Sequence, residues 1–181
     1  MELRGSQVYL RPLCLDDTDL ILHWRSDPTV ASQLFSDRPP TRAEHEQWFK
    51  TLQTRNDRLE FVIVLTINNQ PIGTIGLSGI DFERTEAEFG ILIGEPNWRG
   101  KRIAREASVL ILKYAFAQLD LRRVVLNLFA DNESARKLYE HLGFVEDFQL
   151  RSEREKNGLR RQMMTMFLDR ERFRKGKDVF L

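Results

Sequence analysis

The sequence predicts an α/β fold: a mixed, mostly antiparallel sheet with a central parallel strand–helix–strand crossover and flanking helices. Three observations predict it. First, the apolar, β-branched runs "LEFVIVLTI" (59–67) and "IGTIGLSGI" (72–80) sit either side of the turn "NNQP" (68–71), which reads as a hairpin. Second, "TEAEFGILIG" (85–94) is apolar on both faces in its last half, so it belongs in the middle of a sheet. It is followed by a long helical stripe and then by "RVVLNLF" (123–129), a further buried strand; that order calls for a right-handed parallel crossover. Third, 41% hydrophobic residues in a chain of 181 suffice for one domain with a substantial core, read as residues 1–181. A ligand is expected at the strand C-termini of the crossover.

The remaining elements follow in order. "VYLRPL" (8–13) is a short strand ending at Pro12. Asp16 or Asp17 caps a helix that turns Leu20, Ile21 and Trp24 inward and stops at Pro28. "SDRPP" (36–40) is a loop. "TRAE" (41–44) has the capping-box pattern, Thr41 as N-cap and Glu44 three residues on, and opens a helix with Trp48, Phe49 and Leu52 at helical spacing. The crossover helix carries Ile103, Ala107, Leu110, Ile111 and Tyr114 on one stripe. "DNESARKLYEHLGF" (131–144) is a helix capped by Asp131 or Asn132 and stopped by Gly143. "VEDFQL" (145–150) and "RQMMTMFL" (161–168) are late strands, joined by the charged turn "REKNG" (154–158), and the charged tail from about 170 is a loose end.

Composition narrows the function classes. With 28 Lys and Arg against 27 acids the formal net charge is +1, so no global footprint for nucleic acid exists. The single cysteine, Cys14, excludes an intramolecular disulfide and a cysteine-cluster metal site; it fits a reducing compartment and a place in the core. The N-terminus lacks the apolar heart of a signal peptide, and no apolar run approaches the ~20 residues of a membrane span. The expectation is a soluble cytoplasmic protein with no membrane partner. His23, His45 and His141 fall on three different helices without metal-ligand spacing, so no metal site is expected. Homodimerisation is left open.

One stretch asks for an explanation. "NWRGKRIARE" (97–106) places Arg99, Lys101, Arg102 and Arg105 beside Gly100 at the start of the crossover helix. That end of a helix is partially positive and favours anions. Its free backbone N–H groups bind phosphate, and flanking cations add charge and bidentate contacts. Neither a Walker loop nor a dinucleotide-binding glycine pattern is present. The stretch is therefore either an anion site or a solvated basic face.

Downstream, Asn132, Ala135, Tyr139 and Gly143–Phe144 form N-x-x-A-x-x-L-Y-x-x-x-G-F. Together with R-G-K-x-x-A at 99–104, the pattern resembles the GNAT superfamily of acetyl-CoA-dependent N-acetyltransferases. The text "LRPL…HWRSDPTV…EHEQWF" is similar to the branch that acetylates ribosomal-protein N-termini, polyamines and nucleotide-linked amino sugars.

The resemblance implies acetyl-CoA as co-substrate and no metal. It implies that Arg99, Gly100, Lys101, Arg102, Ile103 and Ala104 hold the CoA diphosphate, and that Leu92 and Ile93 pair their backbone with the pantetheine amides. Arg102 stands where the family pattern has its central glycine; a helical φ there, with the side chain turned outward, is the expectation. Asn132 and Ala135 are implied at the pantetheine arm, although Asn132 is equally an ordinary N-cap. Tyr139 is either a core tyrosine or the acid that protonates the departing thiolate. Glu86 and Glu88 share one strand face; either both are solvated or one, with Glu88 the better placed, takes the proton of the acceptor amine. His45 and Trp48 would wall the acceptor site or simply pack. Direct transfer to a small-molecule primary amine, a polyamine or nucleotide-linked amino sugar, is the leading reading. Acetylation of a ribosomal-protein or other peptide N-terminus, a non-catalytic acyl-CoA-binding module and a nucleic-acid binder are the alternatives.

Overall fold

Among residues 1–176, which the computed structural model describes, nine strands form one sheet. They are β1 (Leu3–Arg4), β2 (Val8–Pro12), β3 (Leu59–Leu65), β4 (Pro71–Asp81), β5 (Glu86–Ile93), β6 (Arg123–Phe129), β7 (Val145–Glu146), β8 (Ser152–Lys156) and β9 (Leu159–Asp169). The helices are α1 (Thr18–Ser26), α2 (Pro28–Ala31), α3 (Arg42–Leu52), α4 (Ile103–Ala117), α5 (Glu133–His141) and α6 (Arg170–Lys175). The sheet runs β1-β2-β3-β4-β5-β6-β9-β7, with β8 hairpinned onto β9. Only β5 and β6 pair in parallel, and β5 lies between β4 and β6 as its two-sided apolar character requires.

Alternation sorts the core into two layers. Phe61, Ile63 and Leu65 of β3 join the large cluster under α4, where Ile103, Ala107, Ile111 and Ala115 are buried. Val62 and Val64 face the other way, against Leu13, Ile21, Trp24 and Phe49 of the α1–α3 layer. The capping box at Thr41 forms as its spacing predicts: the Thr41 N–H donates to Glu44 Oε2 (2.7 Å) and the Glu44 N–H to Thr41 Oγ1 (3.3 Å). A seam ties α1 to the end of β5. Trp24 Nε1 donates to Glu95 Oε1 (2.9 Å), and the indole lies so close over Gly94 that a Cβ there would sit 2.0 Å from it.

Several sequence expectations change. Pro28 does not merely end α1. It opens α2, because Asp27 accepts from the Thr29 N–H (2.7 Å) and proline suits a first helical position. The strand expected over 145–150 stops at Glu146, where a turn closes by a bond from the Leu150 N–H to the Asp147 carbonyl. Most of "REKNG" is strand β8; the turn itself is Asn157–Gly158, both at positive φ. The tail forms α6 through Lys175, anchored by buried Phe173, and residues 177–181 lie outside the described residues. Cys14 is exposed, not in the core; its N–H and thiol both donate to Asp17 Oδ2 at the start of the first helical turn. No helix of the described residues is long and apolar enough to cross a membrane.

Candidate active site

The strand register locates a gap. β5 pairs with β6 only from Glu86 to Glu88; beyond Val125 the bonds of β6 run to β9, and β5 continues alone on that side. A cleft of about 890 Å³ opens at this parting and draws its walls from both faces of the sheet. Glu88, Gly90 and Leu92 come from the α1–α3 face. Phe89, Ile93 and Tyr139 come from the α4–α5 side.

Glu88 is held in place. Its Oε1 accepts from Asn127 Nδ2 (3.1 Å), and Asn127 Oδ1 accepts in turn from Thr165 Oγ1 (2.7 Å). Glu86 starts the same strand outside the cleft lining. Tyr139 packs edge-on against Phe89, ring centres 6.0 Å apart, and burial pushes its phenol well above the usual tyrosine range. The ring therefore stays protonated at neutral pH and beyond. Tyr139 is a core ring that also lines the cleft.

Asn132, not Asp131, is the N-cap of α5: its Oδ1 accepts from the Ala135 N–H (3.1 Å), while Asp131 pairs with Arg161 (2.5 Å). Asn132 and Ala135 line the cleft.

The "NWRGKRIARE" stretch divides its residues among different tasks. Gly100 has φ 73° and Arg102 φ 60°, so two left-handed residues turn the chain into α4 within a few residues of the short helical turn Pro96–Trp98. The helical φ expected of Arg102 is thus corrected: the position needs the backbone that a glycine would adopt freely. Arg102 is also the N-cap and supplies no side-chain cap. The first N–H groups of α4 have no intrahelical acceptor, as at any helix start, and Ala104 lines the cleft there.

The Arg99 side chain is engaged by the fold itself. Its guanidinium donates to Asp27 Oδ2 (3.2 Å), Thr29 Oγ1 (2.7 Å) and the carbonyls of Ile93 (3.1 Å) and Gly94 (2.8 Å). It latches the start of α2 to the end of β5, and Thr29 and Arg99 hold Asp27 down to about 2. Lys101 sits over the Trp98 ring (4.8 Å) and is not in the lining; the Ile103 side chain is core. Arg99, Gly100, Arg102 and Ala104 line the cleft, as do Leu92 and Ile93. Acidic Glu106 is bound by the N–H and amide of Gln7 (2.9 and 3.1 Å), which fixes α4 to the β1–β2 turn.

Some of the site escaped the sequence reading. Asn127 is the one polar residue of β6 after Arg123 at its start, and Glu60 the one acid of β3; each was a visible anomaly. Glu60 lies in the cleft, where Arg58 Nε donates to its Oε1 (2.9 Å) and burial pushes its carboxyl up. His45 is buried against Trp48 (5.2 Å), outside the cleft lining. No group of side chains among the described residues could hold a metal ion.

The family model of the GNAT acetyltransferase domain matches residues 7–145. The uncharacterized N-acetyltransferase p20 of Bacillus licheniformis is 31% identical over 93% of this chain and 97% of its own. An uncharacterized protein of Methanocaldococcus jannaschii is 29% identical over 77% of this chain, which spans 28% of that longer protein. The crystal structure of spermidine N-acetyltransferase from Vibrio cholerae in complex with CoA and spermine is similar with a TM-score of 0.86 at 28% identity, covering 93% of this chain and 99% of that one. The chain belongs to the GNAT acetyltransferase family and is an acetyl-CoA-dependent N-acetyltransferase.

Proposed function

We propose that the protein, as one N-acetyltransferase domain in the cytoplasm, moves the acetyl group directly onto a primary amine of a small molecule. The observation that carries this reading is that Glu88 and Tyr139, from opposite faces of the sheet, line one cleft where β5 parts from β6. An amine must lose a proton as it attacks the thioester carbon, and the sulfur must gain one as the C–S bond breaks. Glu88, oriented by Asn127, takes the first proton directly or through water. Tyr139, kept protonated by burial, gives the second. The edge of β5 that β6 leaves beyond Glu88, at Leu92 and Ile93, offers backbone groups to the pantetheine amides beside Asn132 and Ala135, the Ile93 carbonyl being shared with Arg99. The N–H groups at the start of α4, with Arg102 beside them, receive the diphosphate. In this reading Arg99 serves by positioning, not by gripping phosphate.

Vibrio cholerae spermidine N-acetyltransferase supports a small amine acceptor, because it is similar along nearly the whole chain. The test is release of the CoA thiol with a panel of polyamines, amino sugars and their nucleotides, and alanine- or serine-terminated peptides. Turnover confined to the small amines is expected. Turnover confined to peptides would overturn the acceptor class, and acetyl-CoA binding without any turnover would leave a non-catalytic module.

A further inference from the structure

The acceptor end of the cleft has a charge pattern of its own. Five arginines line the cleft, Arg25, Arg58, Arg99, Arg102 and Arg105, against two acids, Glu60 and Glu88. Arg99 is matched by Asp27 and Arg58 by Glu60. Arg25, at the C-terminal end of α1, forms no ion pair within 4 Å among the described residues, and its Nε is buried without a hydrogen-bond partner. Its remaining contact is a long one, from Nη2 to Ser36 Oγ (3.5 Å). Burial pulls its pKa down and Glu60 opposes this, so the cation sits where an added anion would be well received. Gln33, also in the lining, has a buried Oε1 without a partner.

The sheet connects this corner to Glu88. Glu60 lies opposite Gly76, and Gly76 opposite Gly90, on the same face as Ser78 and Glu88. A Cβ on Gly76 would come within 2.6 Å of Glu60 Oε2, whereas one on Gly90 would meet nothing within 4 Å. The Glu60 carboxylate thus leans over Gly76 and the floor at Gly90 is bare backbone, the two ends lying two strand spacings or on the order of 10 Å apart. A polycation laid along it would meet one acid already held by Arg58, plus the carboxylate assigned to proton transfer.

We propose that the acceptor is an amine carrying an acid group, a carboxylate or a phosphate, which docks on Arg25 while the amine reaches Glu88. This rests on the acetyl-transfer reading above and narrows its acceptor. The Glu60 carboxylate, itself bound by Arg58, favours the Arg25 charge, and the unfilled Gln33 oxygen takes a donor of the acceptor.

The experiment compares matched pairs in the thiol-release assay: β-alanine with β-alaninamide, glucosamine 6-phosphate with glucosamine, and spermidine alone. The carboxylate and phosphate pairs separate the two sources of the acid. In at least one pair kcat/KM is expected to favour the acid-bearing member on the order of tenfold or more, over its neutral partner and over spermidine. Arg25→Gln should bring that ratio close to one, and Arg25→Lys, which keeps the charge, should retain part of it; melting curves check that both variants fold. Equal or better use of the neutral partners or of spermidine overturns the proposal while leaving the transferase reading intact. So does an unchanged ratio in Arg25→Gln. If no amine releases CoA, the same pairs are titrated calorimetrically into the CoA-loaded protein. Tighter binding of the acid-bearing member then keeps the acid site and refutes only turnover, whereas equal binding within every pair refutes the acid site.

Discussion

Arg102 offers the sharpest test because its backbone and its side chain make separate predictions. At φ 60° and ψ 0° an L-residue carries a left-handed penalty of about 1–2 kcal/mol. Glycine removes that penalty but adds about 0.4–1 kcal/mol of unfolded-state entropy. Arg102→Gly should therefore stabilise the fold by about 0.5–1 kcal/mol, a rise in Tm of roughly 1–4 °C for a chain of this size. Arg102→Ala keeps the left-handed residue and should melt close to the parent. The side chain is exposed, so its pull on a diphosphate is screened and worth about 0.2–1 kcal/mol. Both variants should then raise the KM for acetyl-CoA equally, by no more than about fivefold, and less at high salt. Differential scanning calorimetry and steady-state kinetics at two ionic strengths read both terms. Arg102→Gly melting below Arg102→Ala would refute the backbone argument. An unchanged KM in both variants at low salt would remove the Arg102 side chain from the diphosphate.

Tyr139→Phe keeps the edge-on packing against Phe89, so it should lower turnover on the order of 100-fold while acetyl-CoA affinity, by equilibrium titration, stays within about twofold; an unchanged rate removes Tyr139 from proton transfer. Gly94→Ala drives a methyl into the Trp24 ring, an overpacking cost of about 1–3 kcal/mol or more, and a Tm equal to the parent would contradict the seam between α1 and β5. Asp27, held at about 2 against an ordinary 3.8, stabilises the folded chain above its unfolded pKa and loses that contribution as pH falls from about 4 to 2. Asp27→Asn should flatten the melting temperature over that interval, and a profile parallel to the parent's would show that the bonds Asp27 accepts from Thr29 and Arg99 do not contribute.

The expectations that held were those carried by local periodicity and capping. β3 and β4 pair antiparallel because two apolar runs flank the short turn 68–71, and Thr41 caps with Glu44 because that pairing spans three residues. The expectations that moved depended on contacts made far along the chain. β8 reads as a charged turn because most of it faces solvent on both sides; only its ladder to β9 makes it a strand. The resemblance implies Arg99 at the diphosphate, but the sequence around it does not show that Asp27, 72 residues away, also binds its guanidinium. A guanidinium on a long, flexible stem is decided by whichever acceptors the fold brings within reach, and no local string records them.

The same reasoning explains why cations can crowd the positive end of α4. Arg99 discharges its cost on Asp27 and two carbonyls, Lys101 rests on Trp98, and Arg102 occupies a turn whose side chain projects into solvent. The helix start remains open to an anion because the cations around it are individually accommodated, which a count of charges in ten residues cannot reveal.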